Sequence, residues 1–327
     1  MASNQALVGN GRLPFDVLIR VFELYLPEET PDYPLESLLL VCKAWEQAAV
    51  AYRSLWATFK ITMGEEKHKK LWLRRLPLRI ERSGPQALFH IAIRHLDEET
   101  GKQANEAHGH GQKIPTQQDV EANLPRILDI LAGVNGHLCA RWGSLRLTIH
   151  GCFLRFCATN PHRNVFSSLT YPMPALTSLH LALHSDTDVR LFPQLPAVES
   201  IILEHSKLRD FPDMSHAQNI WIGGKLHCMP NGPPWFLAAP EVRRLRIQQG
   251  FWIDDAHPKL HTLLLYGRYL PPGFEEAYIP RLRVLDLEFT GLEILEELLY
   301  HQQVLSLLDV VLLSCDPSLL TDSRERA

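Results

Sequence analysis

Sixteen histidines and six cysteines are the residue types in this 327-residue chain best suited to metal, proton or thiol chemistry. His108 and His110 in "AHGHG" are near enough to share a metal ion, but a glycine-rich segment supplies no preorganised third ligand. Cys139, His150, Cys152 and Cys157 crowd one stretch, yet their spacing fits no zinc ribbon or finger, and buried thiols are the expectation there. With Cys42, Cys228 and Cys315 the cysteines are scattered, contain no C-x-x-C pair and form no disulfide framework. Nucleophile-elbow, zincin, phosphate-loop and dinucleotide-binding motifs are all absent: no G-x-S-x-G, H-E-x-x-H, G-x-x-x-x-G-K-[ST] or G-x-G-x-x-G occurs. The expectation is a chain that performs no bond chemistry of its own, with no metal and no cofactor.

Arg243, Arg244 and Arg246 in "VRRLRI" raise phosphate binding as a second chemistry. Three arginines on one strand make a phosphate-sized patch without an extended stripe, and no base-stacking aromatics are interleaved with them, so nucleic acid is disfavoured as a partner. The formal charge of -4 gives no global attraction to nucleic acid or anionic membrane, and 46% hydrophobic with 21% charged residues excludes disordered and fibrous classes. The longest apolar run, "VLSLLDVVLLSC", is too short to span a bilayer and contains Asp309. "MASNQALVGNGR" lacks a basic segment leading into an apolar run, and no N-x-[ST] sequon occurs. A reducing compartment, cytoplasmic or nuclear, with no membrane contact is expected, and the partners are proteins or small molecules.

Recurrent elements must therefore carry the function. "PALTSLHL" at Pro174, "PAVESIIL" at Pro196, "PEVRRLRI" at Pro240, "PKLHTLLL" at Pro258 and "PRLRVLDL" at Pro280 share P-x-[LV]-x-x-[LI]-x-[LI]. Copies without the proline fit the same frame at Trp56/Phe59/Ile61, Leu88/Ile91/Ile93, Trp142/Leu145/Leu147, Ala217/Ile220/Ile222 and Leu305/Leu308/Val310. A spacing of roughly 18 to 25 residues from Leu176 onward is that of leucine-rich repeats, each giving one short strand and a return segment. One repeat cannot bury its own apolar triplet, so neighbours must stack into a solenoid. The fold class is α/β: a small helical domain over residues 1–62, then an irregular leucine-rich solenoid over 63–327. The proline stops any preceding helix and biases its neighbour to extended geometry. "VEANLPRILDILAGV" reads as a return helix with Val120, Leu124, Ile127, Leu128 and Leu131 on one face. "DEETGKQANEAHGHGQK", 97–113, has no periodicity and reads as a disordered insertion.

The N-terminal helices are greasier than such a fold needs. In "LPFDVLIRVFELYLP" the charged Asp16, Arg20 and Glu23 share one narrow face, and at about 100° per residue the apolar arc covers roughly 220°, twice what a surface helix requires. Pro14 lies in the first turn and Pro27 ends the helix. A second helix is expected from Pro34 to Arg53, with Leu35, Leu38, Cys42, Trp45, Ala49 and Tyr52 inward. A domain of about fifty residues buries only ~60% of its unfolded surface, so it cannot readily enclose both stripes of the first helix, and a permanent partner is the expected solution.

The stretch "LPFDVLIRVFELYL", "LLLVCKAW", "SLW", in that order, resembles the F-box. Its markers are Leu13, Pro14, Asp16, Leu18, Phe22, Leu38, Val41, Cys42, Lys43, Trp45, Leu55 and Trp56, and the whole chain resembles fungal F-box-like proteins with irregular leucine-rich repeats. The resemblance implies a substrate-recognition adaptor of a Skp-cullin-F-box ubiquitin ligase. Leu13, Pro14, Leu18, Phe22, Leu38, Val41 and Trp45 would then meet the Skp adaptor, which bridges to a cullin, while the repeats hold a protein substrate. The loop "PEETPDYPLE" is longer than the usual link between these helices. The alternative is a repeat scaffold outside any ligase, with the F-box-like helices as its cap.

Strand alternation places the substrate surface. In L-x-x-L-x-L the residues between and beside the leucines point away from the core, to the concave side. From Pro196 onward this selects Trp221, Arg244, Arg246, Leu264 and Tyr266 on neighbouring strands, bordered by Asp286 and Glu288. Aromatic and arginine side chains of this kind dominate binding hot spots.

Overall fold

The structure, a computed structural model, describes residues 13–25, 35–63, 66–95, 117–149, 167–185, 195, 197–206, 214–223, 239–248, 257–267, 279–289 and 308–315. Among the described residues ten strands make one open sheet: β1 (Thr58–Met63), β2 (Phe89–His95), β3 (Trp142–Ile149), β4 (Ser178–Ser185), β5 (Ser200–Ser206), β6 (Asn219–Gly223), β7 (Arg244–Gln248), β8 (Thr262–Gly267), β9 (Val284–Phe289) and β10 (Val310–Cys315). Strand order follows sequence order, and each neighbouring pair is parallel. Parallel neighbours oblige the chain to return to the starting end after each strand. The N-terminal end carries α1 (Phe15–Tyr25), a 3-10 helix over Leu35–Leu40, α2 (Lys43–Ala51), α3 (Glu66–Ser83) and α4 (Gln117–Ala132).

Apolar residues two apart on every strand explain the sheet. Phe59, Ile91, Leu145, Leu179, Ile201, Ile220, Leu245, Leu263 and Leu285 pair in register as one buried line. Ile61, Ile93, Leu147, Leu181, Leu203, Ile222, Ile247, Leu265 and Leu287 form the second. Full burial of each such side chain is worth ~1.5–3 kcal/mol, so the two lines dominate the sheet's stability. Leu124, Ile127, Leu128 and Leu131 of α4 and Trp72 and Leu76 of α3 close the same core from the helical side.

The repeated proline also has a duty in a turn. Pro174, Pro240, Pro258 and Pro280 each occupy the second position of a turn, in which the N–H three residues after a buried residue donates back to its carbonyl: Leu176 to Met173, Val242 to Ala239, Leu260 to His257 and Leu282 to Ile279, all at 3.1 Å. Proline's fixed φ suits that position. The residue before it is a further core position, since Met173, Ala239 and Ile279 are buried.

A second core belongs to the helices. Leu18, Phe22, Leu35, Leu38, Ala48, Ala49, Leu55 and Trp56 cluster together, and the sheet core takes over at Ala57. The change of core falls before residue 62, because Thr58–Met63 is already the first strand. Phe22 and Trp45 meet edge to face with centroids 5.4 Å apart, and Trp56 Nε1 donates to the Ala49 carbonyl at 2.6 Å. The two cores are joined by α3: the fully buried Arg79 donates from Nε to Glu36 Oε1 at 2.8 Å and from a terminal nitrogen to Oε2 at 3.0 Å, and Arg82 stacks over Trp56 at 4.6 Å.

Several expectations are corrected. The second helix is not continuous: Cys42 is extended (φ -166°, ψ 168°), so the 3-10 turn and α2 lie at different angles. Leu35 and Leu38 then share a core with Ala48 and Ala49, while Cys42 is exposed. Leu88 is exposed, because the register shifts between Phe89 and His90 and Phe89 pairs with Trp142 in its stead. The final copy is set three residues later than expected: Val311 and Leu313 pair with Leu285 and Leu287, and the Asp309 N–H reaches Arg283 O as Arg283 N–H reaches His261 O. The insertion at 97–113, with His108 and His110, lies outside the described residues, as do His150, Cys152, Cys157 and Cys228.

Candidate functional site

The outer side of α1 follows from its buried side. Leu18 and Phe22 point into the helical core, with Val21 and Tyr25 packed beside them. The line formed by Leu13, Val17 and Leu24 is therefore turned outward, and these side chains are 51%, 42% and 65% exposed. Phe15 at the start of the helix, and Leu40, Val41 and Val50 beyond it, are also exposed. Of the residues that the F-box resemblance assigns to an adaptor, Leu13, Pro14 and Val41 are exposed and Trp45 is half-buried against Phe22. Leu18, Phe22 and Leu38 are core residues. Val17, Leu24, Leu40 and Val50 were not singled out by sequence. The signal for Val17 and Leu24 was the width of the apolar arc itself.

Alternation along the strands builds the second surface, the sheet face opposite the core. Its middle row runs Lys60, Ala92, Arg146, His180, Ile202, Trp221, Arg246, Leu264, Asp286 and Leu312, each in register with the next. Trp221, Leu264, Tyr266 and Asp286 are half-buried and Arg244 and Glu288 exposed. Arg246 ties them together. Its guanidinium lies 4.5 Å from the Trp221 ring centroid and 3.4 Å from Glu288 Oε2, so it reaches from β6 across to β9. Gly223 makes room for the indole: a Cβ there would stand 3.0 Å from Trp221 Nε1. Asp286 lies between, one strand from Leu264. The result is an aromatic-arginine platform with an acidic border, the composition that protein-binding hot spots favour.

Nearer β1 the same face changes character. His180 Nε2 is 3.5 Å from Glu204 Oε2 without the geometry of a hydrogen bond. Burial and then Arg146 hold its imidazole below the ordinary histidine range, outweighing Glu204. His90 Nδ1 lies 3.0 Å from Ser144 Oγ. Arg94 and Arg146 are exposed on this face, and sequence reasoning missed them because the frame was followed only from Pro196 onward.

Chemistry is sparse elsewhere. Among the described residues no group of three or more His, Cys, Asp or Glu side chains could hold a metal ion. Burial pushes the Cys139 thiol up to about 12, which keeps it protonated. No helix among the described residues is long and apolar enough to cross a membrane. No family model, curated protein or solved structure matches this chain.

Proposed function

We propose that the chain is a protein-binding adaptor: its helical end docks as an F-box on the Skp adaptor of a cullin-type ubiquitin ligase, and its sheet is an irregular leucine-rich solenoid that holds a protein substrate. The reading places it in the cytoplasm or nucleus and gives it no bond chemistry. The observation that carries it is the outward line Leu13, Val17 and Leu24 on a small helical unit whose own core is already filled. Full burial is worth ~1.5–3 kcal/mol per side chain, so covering these three half-exposed ones is worth roughly half of that each, enough to favour a partner. The order of F-box-like segments from Leu13 to Trp56 supports the choice of partner. The platform around Trp221 and Arg246 is the substrate surface on this reading.

Co-expression of the full chain with the Skp adaptor tests it. Stoichiometric co-purification is expected, and Val17→Asp with Leu24→Asp should abolish it while leaving the melting temperature nearly unchanged, since both side chains are at the surface. Failure of the wild type to co-purify overturns the ligase reading. The second reading, a scaffold with a helical cap, draws on the buried Arg79–Glu36 pair and the Arg82–Trp56 stack, which fasten the helices to the sheet as a cap would be fastened.

A further inference from the structure

We propose that the open face over β1–β3 is an anion subsite for an acidic segment of the protein partner, an inference that rests on the open face being the substrate surface. Three cationic residues share that face. Register places Ala92 of β2 between Lys60 of β1 and Arg146 of β3, and Arg94 follows two residues along β2 on the same face. Alanine's short side chain leaves a notch between the longer cationic ones. The remaining positions of this face on the three strands are threonine, serine and histidine, with no carboxylate. The exposed Arg94 and Arg146 run against the sign of a chain whose net charge is -4. The acidic side chains of the open face lie farther on, at Glu204, Asp286 and Glu288.

Spacing defines the ligand. Arg94 and Arg146 are diagonal neighbours on adjacent strands, a separation of ~7–8 Å, which matches two carboxylates two residues apart on an extended chain, ~6.6 Å. Arginine forks bind carboxylates with two parallel hydrogen bonds, so exposed guanidinium groups suit this ligand better than ammonium groups would. Three inter-strand steps of ~4.8 Å separate β3 from β6, about 14 Å, or about four extended residues. The segment therefore carries two acidic residues flanking a third, and about four residues further an apolar side chain that rests against Trp221. Nucleic acid fits less well: the open face of β1–β3 has no Phe, Tyr or Trp side chain for base stacking.

The test uses the full chain and fluorescein-labelled peptides read by anisotropy at about 50 mM salt, where surface charges are less screened than at physiological ionic strength. One peptide set carries Glu-Ala-Glu, four residues and a leucine, in both chain polarities; the control set carries Gln-Ala-Gln. The acidic peptide should bind about fivefold or more tightly than its control, as two exposed ion pairs allow. Arg94→Gln with Arg146→Gln should erase that difference without altering the unfolding midpoint, and Trp221→Ala should weaken both peptides alike. Equal binding of both sets, or a difference that survives the double variant, overturns the subsite while a Trp221 effect leaves the substrate surface standing. Absence of any binding, with Trp221→Ala equally inert, removes both. Tighter binding of a single-stranded oligonucleotide, lost in the same double variant, overturns the acidic segment in favour of nucleic acid.

Discussion

Glu36 and Arg79 show how a charge is put to structural use. Burial alone would raise the Glu36 carboxyl, but the Arg79 hydrogen bonds and charge, helped by Arg75, outweigh it and hold it below the ordinary 4.5. A carboxylate depressed in the folded state adds stability that is fully present above its unfolded value and is lost as pH falls through the folded one. Glu36→Ala removes the carboxylate to which the fully buried Arg79 donates twice, and a loss of about 3 kcal/mol is expected in urea unfolding at pH 7. Between pH 7 and pH 3.5 the wild type should lose more stability than Glu36→Gln; equal losses would show that the pair does not couple to folding. At the platform, Arg246→Ala removes both the Trp221 stack and the Glu288 contact, and substrate capture should weaken by ~2 kcal/mol or more with the fold intact. Capture unchanged by Arg246→Ala would move the binding surface away from β6–β9. The platform residues were legible because two-residue alternation assigns each to a face. The role of Gly223 was not, because it depends on where the Trp221 ring turns.

At the scale of elements, legibility followed periodicity. The face of α4 at Leu124, Ile127, Leu128 and Leu131 was readable, and these residues are buried. The neighbouring α3 was not recognised as a helix. Its inward positions are Trp72, Leu76, Arg79 and Ser83, spaced four, three and four apart, and two of the four are polar. Pro77 inside the helix hides the period further. The break at Cys42 was equally invisible, since the apolar spacing continues through it. For α1 the sequence posed the right problem: the arc is too wide for one neighbour, and the helix buries its middle at Leu18 and Phe22. Phe22→Ala should therefore destabilise the helical unit by ~3–5 kcal/mol. Leu18→Asp should lose the α1 helical signal in circular dichroism, in contrast to the tolerant outer positions. An unchanged melt for either would place these side chains outside the core.

Across the whole molecule, the parallel sheet in sequence order pairs each inner strand with two neighbours, and stability is expected to be a sum of local terms along one axis. The two ends of that axis are built differently. At the first end, α3 and α4 cover β1–β3, and Arg141 fastens the turn after α3 by donating to the Ala87 carbonyl and Ser83 Oγ while stacking on Phe89 at 4.1 Å. At the other, β10 continues both core lines with Val311 and Leu313, yet these are 41% and 55% exposed, and Val310 and Leu312 on the opposite face are exposed as well. An edge strand so placed gains little from burial and should be the first to open. Leu285→Ala, which removes packing from β9 beneath that edge, is expected to speed backbone hydrogen exchange in β8–β10 while leaving β1–β3 near their wild-type rates. Leu145→Ala should raise exchange at the opposite end and also loosen α4, whose Leu128 and Leu131 share that core. Mass-resolved exchange of the two variants distinguishes local terms from one cooperative block: a uniform rise across all ten strands in both would mean that the sheet opens as a unit, and the gradient from the helical end to β10 would then have no consequence for stability.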